Sequence, residues 1–163
     1  MRYSATLGKS SMIITFLVGV FFLALIGLGI GYIRGHDGKP IPLYTSIVCI
    51  AIYTIAYAFR VLGYVLTIDE LIIQRPLFNV YIPLKDIRDG GMVDQHIKAI
   101  RIAGVGGLFG YWGTFASFSK GFMTWYVTRK DRLVMIVMKN NKKILISPDD
   151  AAGFVQELKE KLA

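Results

Sequence analysis

An uncharged, mostly apolar run extends from Met12 to Ile33, and a second, from Ile41 to Phe59, follows after a short loop. No other feature restricts the fold as much. A helix needs about 20 apolar residues to cross a hydrocarbon core about 30 Å thick. Only helices and closed barrels satisfy their own backbone groups inside lipid. The first run has the required length, and the second has it with little to spare. Together they predict a membrane-embedded helical hairpin over residues 1–60, with spans at about 12–33 and 41–59. Arg2 and Lys9 resemble the basic start of a secretory signal. The apolar stretch is longer than the roughly 7–15 residues of such a segment, however, and Gly29-Ile-Gly-Tyr-Ile-Arg34 offers no small-x-small cleavage site, so the helix is expected to be retained. Arg2 and Lys9 before the first span and Arg60 and Arg75 after the second, against Arg34, Asp37 and Lys39 in the loop, favour both termini in the cytoplasm.

The 54% hydrophobic content is concentrated in these first sixty residues. From Arg60 onward the chain carries 15 basic and 10 acidic residues, within an overall charge of +8. This stretch is long enough for one domain with its own core. A basic domain beside a bilayer suits attraction to anionic headgroups, although solvated hairpin ends explain the same charges. The lone Cys49 lies inside the second apolar run and reads as a small apolar residue.

In the first helix Gly27 and Gly31 form a small-xxx-small pair, which lets two helix backbones approach closely. The second helix of the same chain is the first expected partner; a second copy or another membrane protein is the alternative. After Arg60 the pattern shifts to short alternating runs. Tyr64–Ile68, Leu71–Arg75, Asn79–Ile82, Leu84–Ile87, a weaker Ile97–Ile102, Thr114–Phe118, Phe122–Thr128, Leu133–Lys139 and Lys142–Ile146 read as strands or strand-like pieces. Asn140-Asn141 reads as a two-residue hairpin turn. The chain ends in an amphipathic helix with Phe154, Val155, Leu158 and Leu162 on its apolar face. Ser147 is the expected N-cap, Pro148 the first helical residue, and Asp149 and Asp150 occupy the first turn. Seven or eight strands followed by one amphipathic helix suit a small sheet that curls and is closed by that helix.

The order of these features resembles the bacterial PH-like domain proteins. The resemblance is carried by Tyr64-Val-Leu-Thr-Ile-Asp-Glu-Leu-Ile-Ile-Gln-Arg-Pro76, Ile82-Pro-Leu-Lys-Asp-Ile87, Gly106-Gly-Leu-Phe-Gly-Tyr-Trp-Gly-Thr-Phe115 and Ile144-Leu-Ile-Ser-Pro-Asp-Asp-Ala-Ala-Gly-Phe154. It implies an α+β chain: a two-helix transmembrane hairpin, then over residues 61–163 a PH-like antiparallel β-barrel or sandwich capped by a C-terminal helix. It also implies an integral protein of a bacterial cytoplasmic membrane without known enzymatic activity. Phosphoinositide-binding PH domains carry basic residues on their first hairpin. Here that loop holds Asp69 and Glu70, which repel a phosphorylated headgroup.

The remaining motifs are weak as chemistry. Gly104-Val-Gly-Gly-Leu-Phe-Gly110 lacks the third glycine of a dinucleotide fingerprint and the Lys-Ser/Thr of a triphosphate loop. It reads as a bend on which Leu108, Phe109, Tyr111 and Trp112 pack. An alternative is that these four side chains contact the headgroup region or a partner. Arg129, Lys130, Arg132, Lys142 and Lys143 are the densest basic group and the candidate contact for anionic lipid, if adjacent hairpins bring them together. His36 and His96 lie far apart with no second cysteine, so neither a zinc site nor a hydrolytic triad is expected. No cofactor, metal or catalytic residue is expected. The expected function is a membrane-anchored, non-enzymatic PH-like adaptor that docks a protein partner or organises a membrane complex. The alternative is a membrane-surface sensor of anionic headgroups. The partners are then the bilayer and a protein, a second copy of the chain among the options, and no nucleic acid.

Overall fold

The structure is a computed structural model, and it describes residues 1–35, 41–93 and 97–162. The loop residues His36, Asp37 and Lys39, and His96, lie outside the described residues.

The chain starts with a strand, β1 (Arg2–Ser4), followed by helices α1 (Lys9–Gly35) and α2 (Ile41–Ala58). Then come β2 (Gly63–Leu66), β3 (Glu70–Gln74) and β4 (Val80–Pro83), a 3-10 turn (Leu84–Asp86) and β5 (Ile87–Val93). β6 (Ile100–Gly107), β7 (Gly110–Ser117), β8 (Gly121–Val127), β9 (Leu133–Met138) and β10 (Lys143–Ile146) precede the final helix α3 (Ala151–Leu162).

Among the described residues the strands form two open sheets, β1-β2-β3-β4 and β5-β9-β10-β8-β7-β6. Of the expected antiparallel barrel or sandwich, the barrel is corrected, because neither sheet closes, and so is the purely antiparallel pairing, because β10 runs parallel to β8. β10 is inserted between β8 and β9, so the segment joining those two strands arches over the end of β10.

Period-2 patterning explains the first sheet. Tyr64 and Leu66 on β2 and Leu71 and Ile73 on β3 are buried, while Val65, Glu70, Ile72 and Gln74, on the other side of the sheet, are only partly buried. β9 is a continuous apolar run because both its faces are covered. Val134 and Ile136 join the core shared by the first sheet and α3, and Leu133 and Met135 join a second core with Phe115, Met123, Trp125 and Leu145. α3 closes the first core with Phe154 and Leu158. Its approach to β5 is so close that a Cβ on Gly90 would lie 2.4 Å from Leu158 Cδ2.

The start of α3 differs from the expectation. Asp150 is its cap, accepting from the Gly153 N–H at 2.9 Å. Ser147 is fully buried under the β8–β9 arch, where its Oγ accepts the Thr128 N–H at 2.8 Å. The backbone groups of an arch that cannot join the ladder need such a partner.

α1 and α2 pack against each other with Gly19 and Phe22 of α1 beside Tyr53 of α2. Away from that shared face both helices leave apolar residues exposed, among them Phe16, Leu17, Phe21, Leu23, Leu28, Ile47, Ile50 and Ile55. α1 is long and apolar enough to cross a membrane over Lys9–Tyr32, and Leu43–Ala58 is a shorter apolar helix.

β1 carries a topological consequence. It pairs with β2 in the register Arg2↔Val65, Tyr3↔Tyr64, Ser4↔Gly63. The helical pair is therefore an insertion between two adjacent strands of one sheet, and both of its ends are rooted in the β-domain.

Candidate functional site

The glycine-rich and aromatic block is a hairpin. Gly107 pairs with Gly110 across the two-residue turn Leu108-Phe109, and Phe109 has a φ of 54°. That conformation lifts the Phe109 ring out of the sheet toward the helices. The ring lies 4.9 Å from Tyr53 and 5.5 Å from Tyr57, edge to face with both. Its N–H donates to Thr15 Oγ1 on α1 at 2.9 Å, and only 7% of the residue is exposed. Gly107 lies so close to α1 that a Cβ there would sit 2.7 Å from Ile14 Cδ1. Trp112 stacks on Phe59, just beyond α2, at 5.0 Å. Phe109 and Trp112 thus clamp the roots of both helices. Tyr111 turns toward the second core, edge to face with Trp125 at 6.3 Å, and Leu108 is half-buried.

Two arginines missing from the sequence-derived site complete this joint. The Arg75 guanidinium lies 4.5 Å from the Tyr126 ring and 5.8 Å from Phe59. Burial pushes it below its ordinary value, partly offset by Tyr126, yet a guanidinium keeps its proton throughout the physiological range. Arg60 lies 5.2 Å from the Tyr57 ring. Arg75 meets rings from β8 and from the segment just beyond α2, so local sequence carried no signal for that contact, whereas Arg60 lies only three residues from Tyr57. Leu77 in the β3–β4 turn gives its N–H to the Ala58 carbonyl at 3.3 Å and covers the end of α2.

The five basic residues do not form one patch. Arg129, Lys130 and Arg132 sit in the β8–β9 arch, whereas Lys142 and Lys143 sit at the β9–β10 turn. The six residues of β9 lie between the two groups, about 20 Å along a strand. Arg129 is already occupied. Its Nε and Nη2 donate to Asp131 at 2.7 and 2.6 Å, and its Nη1 reaches Asp149 at 3.3 Å and Thr6 at 3.1 Å. The hydrogen bonds from Arg129 hold Asp131 below the usual carboxylate range and raise the guanidinium in turn. Arg132 donates to the Asp149 carbonyl, and Lys143 donates to the Lys120 carbonyl at 2.6 Å. Lys130 lies 4.3 Å over the Tyr111 ring, and Lys142 is exposed.

Gly27 and Gly31 do not mediate the contact between the two helices. A Cβ on either would meet nothing within 4 Å among the described residues. Gly19 serves that contact, its Cβ position lying 3.2 Å from the Tyr53 hydroxyl.

A second anchor joins the two ends of the chain. The Met1 amine donates to the Leu66 carbonyl at 2.6 Å and to Glu157 Oε1 at 3.2 Å, and the Tyr3 hydroxyl donates to Glu157 Oε2 at 2.6 Å. Burial works against ionisation of Glu157, but Tyr3 and the amine outweigh it and keep this carboxyl below its ordinary value. Tyr64 bridges the layers from within. Its hydroxyl donates to the Tyr126 carbonyl at 2.6 Å and accepts from the Ser147 N–H at 3.0 Å. Burial pushes it up to about 12. Among the described residues no group of three His, Cys, Asp or Glu side chains could hold a metal.

Two sheets with a single C-terminal helix packed over their shared core define a mixed α+β domain of the PH-like class. A family model described as Bacterial PH domain matches residues 62–162, more than half of the 163 residues, and the chain belongs to that family. No curated protein and no solved structure matches it.

Proposed function

We propose that the chain is a membrane-anchored, non-enzymatic interaction module of a bacterial cytoplasmic membrane. In this reading α1 and α2 both span the bilayer and the PH domain docks a protein partner in the cytoplasm. One observation carries it: two helices that expose apolar side chains on every side except the face each turns to the other and to the domain leave a PH domain from neighbouring roots clamped by Phe109 and Trp112. A helix that is apolar all round needs an apolar surrounding. No protein layer supplies one among the described residues. The 18 residues of α2 extend about 27 Å, close to the thickness of the hydrocarbon core.

For the partner, the outer edge of β6 is unpaired among the described residues, and Ile100 and Ile102 on that strand are exposed. An extended segment of a partner adds to such an edge through main-chain hydrogen bonds. The test is fractionation at alkaline pH followed by crosslinking in native membranes, with a photoreactive group at Ile102. The chain should stay in the membrane pellet and yield one discrete crosslinked protein. Release into the soluble fraction, or an absence of any specific crosslink, would overturn the reading.

A further inference from the structure

α1 begins without a capping side chain. Gly8 precedes it, donating its N–H to the Thr128 carbonyl at 3.0 Å and accepting the Met12 N–H at 3.0 Å. No acidic residue stands in the first turn. The N–H groups of Lys9, Ser10 and Ser11 find no acceptor among the described residues. Three orphan donors at the positive end of a long helix favour an anion.

A second observation is independent of the helix end. Ser11 is only 1% exposed, and its Oγ has no hydrogen-bond partner among the described residues. Ser11 lines a cavity of about 300 Å³, together with Lys9 and Ser10 of α1, Tyr111, and Arg129, Lys130 and Asp131 of the arch. A buried hydroxyl without a partner is costly, and a ligand oxygen relieves that cost. Among the described residues Asp131 is the one carboxylate lining the cavity, and Arg129 grips both of its oxygens. Lys9 and Lys130 have no ion-pair partner among the described residues, so the cavity keeps a positive balance.

We infer that the root of α1 is a binding site for a phosphate group. The Lys9, Ser10 and Ser11 amides and the Ser11 hydroxyl donate to the phosphoryl oxygens, and Lys9 and Lys130 supply the charge. The site lies away from the β2–β3 turn with Asp69 and Glu70. The phosphate has two sources, a phospholipid headgroup or a soluble phosphate. The lipid source rests on the membrane reading above, because the apolar stretch begins at Lys9 and sets the cavity at headgroup level. The soluble source does not.

The test uses the full chain, 15N-labelled in maltoside micelles, titrated separately with inorganic phosphate and with dihexanoyl phosphatidylglycerol. The Lys9, Ser10 and Ser11 amide resonances should shift and saturate. The Lys9→Glu/Lys130→Glu variant should weaken that response by about tenfold or more. Ser11→Ala should weaken it with the β9 amides unmoved, which shows an intact fold. Saturation by the lipid alone assigns the headgroup as source, and saturation by inorganic phosphate adds or substitutes the soluble anion. An absence of saturable shifts with both titrants, or an undiminished response in the charge-reversed variant, overturns the site. A chain that pellets with membranes yet shows no such shifts loses this site while its anchoring stands.

Discussion

Gly104 and Gly113 face each other across the β6–β7 ladder with φ of 113° and 120°. A Cβ on Gly104 would lie 2.1 Å from the Trp112 carbonyl oxygen, and one on Gly113 would lie 2.2 Å from that of Ala103. Strained φ and a backbone clash together predict that Gly104→Ala or Gly113→Ala costs more than about 3 kcal/mol. Gly91→Ala meets nothing within 4 Å and should be neutral or stabilising by up to about 1 kcal/mol. Urea denaturation in micelles separates the two outcomes, and equal effects of all three would refute the paired-glycine account. The sequence flagged this block as glycines that free the backbone, and that much was legible. The helices as partner of Phe109 were not legible, because the contact joins residues more than fifty positions apart. Ser147 illustrates the opposite failure. Ser-Pro-Asp-Asp satisfies every local rule for a helix start, but the arch formed by Thr128 and Arg129 claims the serine oxygen, and the helix begins three residues later on Asp150. Ser147→Ala should therefore cost about 1–3 kcal/mol through an orphaned Thr128 N–H, and Asp150→Ala about 1 kcal/mol through the lost cap. Hydrogen exchange tells them apart. The serine variant should loosen the Thr128 amide, and the aspartate variant the Gly153 amide.

At the scale of elements, legibility followed length and pattern. β9, read among the short alternating runs, emerged close to its true limits, and α3, read from its 3.6-residue spacing, emerged with its apolar face intact but its start displaced. β1 did not, because three residues ahead of a long apolar run carry no periodicity. Its docking depends on polar contacts with α3 and the segment just ahead of it: Tyr3 and the Met1 amine on Glu157, and Thr6, beyond β1, on Asp149 at 2.7 Å. Burial opposes ionisation of both carboxyls, but these hydrogen bonds outweigh it and depress both below their ordinary values of 4.5 and 3.8. A carboxyl depressed in the folded state binds fewer protons there than in the unfolded chain. Its contribution is thus present in full above the ordinary values and is lost as pH falls through the lower, folded ones. Thermal stability should hold steady from pH 7 to about 5 and fall below that. Glu157→Gln should lower the plateau and flatten the acid slope. A melting temperature with the same acid dependence in that variant would show that Glu157 does not hold β1.

At the scale of the whole molecule, the helical hairpin interrupts the first sheet rather than preceding it. The strand that completes the edge of β2 is synthesised before the hairpin and returns to the sheet across it, tied down by Leu66 N–H to the Met1 carbonyl at 2.9 Å and Gly8 N–H to the Thr128 carbonyl at 3.0 Å. A fragment limited to residues 61–163, the domain as patterning alone would cut it, lacks this strand and exposes the β2 edge, Tyr64 and part of Phe154, which Tyr3 covers edge to face at 5.2 Å. Such an edge invites association between copies. The fragment should be marginally stable and prone to oligomerise. The peptide covering residues 1–8, added in trans, should raise its melting temperature in a concentration-dependent way, as any ligand that binds only the folded state does. The same peptide with Tyr3→Ala should do so weakly, because it loses both the ring contact and the bond to Glu157. Calorimetry of the fragment with each peptide decides the matter. A fragment as stable as the full chain and indifferent to the peptide would mean that β1 is an ornament of the sheet. A stabilised fragment would mean that the PH domain is built from both sides of its hairpin, so that a pull on either helix root bears directly on the sheet edge and the core beneath it.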